Sequence, residues 1–163
     1  MSAVDRPVDT KKVARRTLHF NSLDDIVAEA ERLAAGSPKM LGNWSLGQTL
    51  VHLARAMDMA VETPPFRAPW IVRLIGPLLK KRLLTRPMSS GFKLPKDAAA
   101  HLIPTTTSAA DGLAVLRRSI DRFKAGPRLP RHDILGRMTD DDWLRLQLRH
   151  AELHLSFAAP DGK

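Results

Sequence analysis

Apolar residues recur along the chain at helical spacing in four long blocks. Leu23, Ile26, Val27, Ala30 and Leu33 share one face, Ser22 stands ahead of them with Asp25 three residues on, and Gly36 and Pro38 follow. That order of cap, stripe and breaker predicts a first helix from Ser22 to Gly36. A second is predicted from Ser45, which forms a capping box with Gln48, through the stripe Leu46, Leu50, Leu53, Met57 and Ala60 to Pro64-Pro65. Trp44, just ahead of the cap, is expected to staple back on the first turn. A third opens at Ser108 and Asp111, carries Leu113, Leu116, Ile120 and Phe123, and stops at Gly126-Pro127. The fourth runs from Thr139 to about Phe157, with Asp140, Asp141 and Asp142 at the end where the helix dipole favours negative charge.

Between the second and third blocks the pattern breaks. Residues 63–107 hold seven of the twelve prolines, and the helical spacing of Ile71, Leu74, Ile75, Leu78 and Leu79 straddles Gly76-Pro77, which predicts two short helices in a long crossover. Residues 1–21 have no clear period and read as an extended arm. No segment alternates apolar and polar residues long enough for a strand, and no repeat or shift in composition marks a second domain. The expected architecture is all-α: one domain over residues 1–163, a four-helix bundle with a proline-rich crossover.

Composition narrows the chemistry. With 163 residues, 44% of them hydrophobic and 26% charged, the chain has the makings of one globular core. Cysteine is absent, which removes disulfides, thiolate metal sites, iron–sulfur clusters and a cysteine nucleophile, so any metal must sit on histidine and carboxylate. No apolar run approaches the roughly 18–20 residues that cross a bilayer. Ala14-Arg15-Arg16-Thr17-Leu18 resembles a twin-arginine signal, but Asp24 and Asp25 follow where an apolar stretch is required, so the segment reads as mature and the protein as cytoplasmic.

The formal charge of +9 favours anionic partners, and its distribution matters more than its size. Between Glu62 and Asp97 stand Arg67, Arg73, Lys80, Lys81, Arg82, Arg86, Lys93 and Lys96, with no acid among them. The main expectation is that the crossover packs its apolar side over the open end of the bundle, as a lid, and keeps its charges in water. The other is that residues 70–86 rest on an anionic membrane surface. Nucleic-acid modules, phosphate loops, dinucleotide glycine motifs and a serine triad are missing.

His150 and His154 are four apart in Leu148-Arg149-His150-Ala151-Glu152-Leu153-His154-Leu155, hence about 40° apart on a helical wheel. Trp143, Leu146, Leu153 and Phe157 share their side, so both imidazoles are expected to face the interior. Glu152 falls about 160° from His150, toward solvent, and the HExxH order is not met because Ala151 follows His150. Two stacked imidazoles on an apolar face need partners, which a shared metal or hydrogen bonds to other helices would supply. A third ligand would come from another helix. His52 is the best-placed candidate, because His19, His101 and His132 fall in predicted arms or loops, yet periodicity puts His52 about 120° from its helix's stripe, at a boundary.

Four stretches together resemble the DinB/YfiT-like superfamily of four-helix bundles, and within it a branch of uncharacterised bacterial domains. They are Arg16-Thr17-Leu18-His19-Phe20; Gly42-Asn43-Trp44-Ser45-Leu46-Gly47-Gln48 leading to Val51-His52-Leu53-Ala54; His132-Asp133-Ile134-Leu135-Gly136-Arg137-Met138-Thr139; and Trp143 leading to Arg149-His150-Ala151-Glu152-Leu153-His154-Leu155. The resemblance implies a divalent metal, nickel or zinc, held by His52, His150 and His154, with open positions for water or substrate. It implies metal-dependent transferase, isomerase or hydrolase chemistry on a small molecule, often using a low-molecular-weight thiol such as bacillithiol or mycothiol that the metal activates. This chain departs from the branch at Asp133, where proline is usual, and at Leu153, where many members have another histidine. The alternative is a non-catalytic helical binding or stress protein whose histidines are structural. A second copy of the chain, as a homodimer, completes the partners considered.

Overall fold

A computed structural model describes residues 7–92 and 96–160, which leaves Lys93 of the basic stretch outside the described residues. Among the described residues there are six helices: α1 (Leu23–Ala35), α2 (Leu46–Asp58), α3 (Trp70–Thr85), α4 (Lys96–Leu102), α5 (Ala109–Ala125) and α6 (Asp140–Leu155). The chain is predominantly helical, as the periodicity predicts. The caps are those read in the sequence. Ser22 with Asp25, Ser45 with Gln48, and Thr139 with Asp142 form reciprocal capping boxes, and the Ser108 side chain accepts from the Asp111 amide. Each satisfies amides that a helix start leaves without partners.

The core lies among α1, α2, α5 and α6, where Ile26, Leu33, Leu50, Met57, Leu116, Ile120, Phe123, Trp143 and Leu155 are fully or almost fully buried. Helices α2 and α5 approach closely at their N-termini through two glycines. A Cβ on Gly47 would stand 2.1 Å from the Thr107 carbonyl oxygen, and one on Gly112 would stand 2.7 Å from the Gly47 carbonyl oxygen. Only hydrogen fits at either position.

Among the described residues four two-residue strands supplement the helices: β1 (Lys39–Met40), β2 (Arg131–His132), β3 (Gly136–Arg137) and β4 (Ala158–Ala159). They are too short to show a period. β1 pairs antiparallel with β4, with Lys39 opposite Ala159, and β2 pairs antiparallel with β3, with Arg131 opposite Arg137. The first pair ties the segment before α2 to the segment after α6.

The crossover differs from the expectation twice. It holds two helices, as expected, but only α4 is short: α3 runs unbroken for 16 residues with Pro77 inside it. Instead of covering the bundle with its apolar side, α3 turns that side outward: Trp70, Leu74 and Leu78 are exposed, while the buried positions are Gly76 and Leu84. A Cβ at Gly76 would lie 2.2 Å from the Ile134 carbonyl oxygen, so the helix seats on the β2–β3 turn at its smallest residue. Arg73 pairs with Asp133 at 3.1 Å, and Lys80 pairs with Asp142 at 2.6 Å, holding this inner side to the β2–β3 turn and to the start of α6.

Candidate metal centre

Helix α6 carries two of the candidate ligands, and three devices fix it. Thr139 and Asp142 cap its start. Trp143, which is buried, donates its indole N–H to the Leu129 carbonyl oxygen at 2.7 Å. At its far end Arg15 donates to the Ser156 hydroxyl at 2.9 Å and to the Leu153 carbonyl oxygen at 3.4 Å, and Arg16 donates to the Leu155 carbonyl oxygen at 3.1 Å. These guanidinium groups meet carbonyls that a helix end leaves unpaired, where the dipole also favours positive charge. The arginine pair that resembles an export signal is thus used to clamp the helix.

Glu152 completes the clamp, and here the wheel misleads. It is 7% exposed, not solvent-facing. Its carboxylate accepts from the Phe20 amide at 2.7 Å and pairs with Arg149 at 2.6 Å. The N-terminal arm lies along the back of α6 and closes over it, with His19 Nδ1 3.5 Å from the same carboxylate oxygen.

His52 comes from α2, which faces α6. Gln147 donates to the Ala56 carbonyl oxygen at 3.4 Å, and this contact sets the two helices so that His52 stands beside His150 and His154. The imidazole ligand atoms of His52, His150 and His154 all lie within 4.8 Å of one another, and His52 Nε2 is 3.2 Å from His150 Nε2. His52 is 4% exposed, so the boundary position that its wheel gives is not the one it takes. Residues before α5 cover that side of α2: Gln48 donates to the Pro104 carbonyl oxygen, Arg55 donates to the His101 carbonyl oxygen, and His52 Nδ1 meets the Leu102 carbonyl oxygen at 2.9 Å. A carbonyl only accepts, so His52 Nδ1 bears the proton and Nε2 presents a lone pair toward His150. Such an outer hydrogen bond fixes the tautomer and orientation of a metal-ligating imidazole.

Burial disfavours the protonated form of all three imidazoles. It lowers His52 below its usual value of 6.5, against the Leu102 carbonyl, with the Arg55 charge adding to the depression. It pushes His150 down to about 3, with His52 contributing, and His154 falls well below 6.5 through burial and then through its neighbours His150, His52 and Arg15. The neutral ring is the form that binds metal. With metal–nitrogen bonds of about 2.0–2.1 Å, adjacent corners of a tetrahedron stand about 3.4 Å apart, so three nitrogens at this spacing fit one ion after small ring rotations.

Sequence reasoning missed two members of the surroundings. Trp44, read in the sequence only as a staple for its helix start, meets the histidines: its ring stacks on His154 at 5.6 Å and 7°, and lies 4.8 Å from His52. The Leu41 amide donates to the Phe157 carbonyl oxygen beside the β1–β4 pair, which brings the Trp44 segment to the end of α6. The other member is the Leu102 carbonyl, a backbone group with no signature in sequence. The remaining histidines stand apart. His101 is in α4 rather than a loop, near Phe66, while His132 is in β2, where its Nδ1 accepts from the Ile134 and Leu135 amides. Two surface depressions, of about 320 and 180 Å³, are lined by neither His52, His150 nor His154.

A family model described as "Protein of unknown function (DUF1569)" matches residues 12–161. No curated protein and no solved structure matches the chain.

Proposed function

The chain belongs to the DUF1569 family, and from that footing we propose that it binds one divalent metal ion, nickel or zinc, through His52, His150 and His154. One observation carries the reading: three neutral imidazoles from two helices converge within 4.8 Å, one of them oriented by a backbone carbonyl. The resemblance to DinB/YfiT-like four-helix bundles supports it, as does the packing of α1, α2, α5 and α6 around one core. The work proposed for the site is metal-dependent transfer or hydrolysis on a small molecule.

The chain's own groups define what such a site accepts. Three imidazoles bring no negative charge, and among the described residues no carboxylate belongs to the cluster. Arg15 adds positive charge close to His154. An ion held there therefore favours an anionic further ligand, a class that includes the thiolate of a low-molecular-weight thiol. Trp44 walls the His154 side, and the Leu102 carbonyl keeps the His52 proton on Nδ1. A divalent ion held there supplies Lewis acidity, lowering the pKa of a thiol or water that it binds.

One observation favours a second reading. His52 and His150 meet at 3.2 Å through their Nε2 atoms, a distance at which the two rings hydrogen-bond to each other without an ion, and Trp44 stacks on His154, as in a non-catalytic helical protein with structural histidines. Calorimetric titration of untagged protein with nickel and zinc separates the two. The metal reading expects saturable binding at one site, lost in His150→Ala and His154→Ala, and a rise in melting temperature that follows the metal concentration. Absence of saturable binding by folded protein establishes the structural reading.

A further inference from the structure

The outward side of α3 is the least explained surface of the molecule. On the inner side Gly76 and Leu84 pack, and Arg73 and Lys80 are matched by Asp133 and Asp142. On the outer side Trp70, Ile71, Leu74, Ile75, Leu78 and Leu79 lie exposed together, Trp70 at 73%, Leu74 at 67% and Leu78 at 81%. On a helical wheel these six fill about half the circumference, and Lys81 and Arg82 fall within the same sector. A contiguous apolar face of this kind marks an interaction surface rather than scattered surface leucines.

Charge decides the occupant. From residue 63 to residue 96 there is no acid. Arg67, Lys81, Arg82 and Arg86 are exposed and have no ion-pair partner among the described residues. The cations on the inner side are neutralised, and those on the outer side are not. A second copy seated through the same face would bring apolar surface but would set basic segment against basic segment. A bilayer bearing anionic lipid matches both components: acyl chains for the leucines and isoleucines, headgroup phosphates for the lysine and arginines, and the boundary between them for the indole of Trp70. At 16 residues α3 is about 24 Å long, suited to lying along such a surface.

We propose that α3 docks the protein on anionic membrane surfaces, with Trp70, Leu74 and Leu78 entering the interface and Lys81, Arg82 and Arg86 engaging lipid phosphate. The proposal is independent of the metal reading. It is tested by sedimenting the full chain with phosphatidylcholine vesicles, with and without phosphatidylglycerol. Binding is expected only to the anionic vesicles and weakens as salt is raised. The Leu74→Glu/Leu78→Glu variant, whose changes lie on the exposed face, loses binding. Lys81→Gln and Arg82→Gln, which leave the apolar face intact and carry the test if the double variant does not fold, each weaken binding roughly fivefold. Failure of the wild-type chain to sediment, equal binding to neutral vesicles, or undiminished binding by the folded double variant overturns the proposal. So does concentration-dependent dimerisation without vesicle binding, lost in the double variant, which assigns the face to a second copy.

Discussion

Replacing Glu152 separates what the arm does from what the histidines do. Its carboxylate receives the Phe20 amide at 2.7 Å and the Arg149 guanidinium at 2.6 Å, and Arg149 also donates to the Phe20 carbonyl oxygen at 3.1 Å. Glu152→Ala leaves a largely buried guanidinium without its anion, a loss of about 3–5 kcal/mol. The freed Phe20 amide adds to this, but the three groups form one network and their losses do not sum. At about 2–4 °C per kcal/mol for a chain of this size, a loss of about 4 kcal/mol lowers the melting temperature by about 8–16 °C. Glu152→Gln keeps an oxygen for the amide and gives up only the charge, so its melt falls between wild type and the alanine variant. Calorimetric melts measure the effect, with metal content determined on the same samples. Since Glu152 points away from the histidine cluster, the folded glutamine variant retains metal. A shift below about 3 °C in Glu152→Ala would refute the burial argument, and loss of metal from folded Glu152→Gln would make the carboxylate part of the site.

Two further outcomes follow from the fold. Burial pushes His132 from 6.5 down to about 4, against the opposing charge of Asp133. The unfolded chain therefore takes up a proton first, and the stability His132 contributes is complete above about pH 6.5 and lost as the pH falls toward 4, with a ceiling of about 3 kcal/mol. His132→Asn supplies an acceptor that does not titrate there, so denaturant melts over that range show a flatter acid limb than wild type. An identical limb in both proteins counts against the assignment. Gly47→Ala forces a methyl group against the Thr107 carbonyl, and a loss of about 1–3 kcal/mol is expected in the same assay. An unchanged midpoint would mean that α2 and α5 separate freely.

Local signals carried most of the helical framework, because caps and stripes are written in residues a few places apart. The four long helices begin at the capping residues that the sequence offers, and His150 and His154 share a face as their spacing requires. The misplacements share one cause. Helix α2 is buried around most of its circumference, with Thr49, Val51, His52 and Ala54 covered as well as Leu50 and Leu53. A helix enclosed on several sides has no single stripe, so periodicity set His52 at an edge. Glu152 looked solvent-facing because the arm that covers it has no period of its own. In the same way, α4 and the residues after it, which cap His52, signal nothing about where they pack. In α3 the apolar spacing was legible, but spacing cannot say which side faces the core. The seat at Gly76 and the inward ion pairs of Arg73 and Lys80 decide it.

Elemental analysis of the untagged protein, beside His52→Ala, His150→Ala and His154→Ala, tests the central claim most directly. The account predicts about one nickel or zinc per wild-type chain and loss of that ion in each folded variant. Wild-type protein that is folded, free of metal and unable to take up either ion on addition would contradict it.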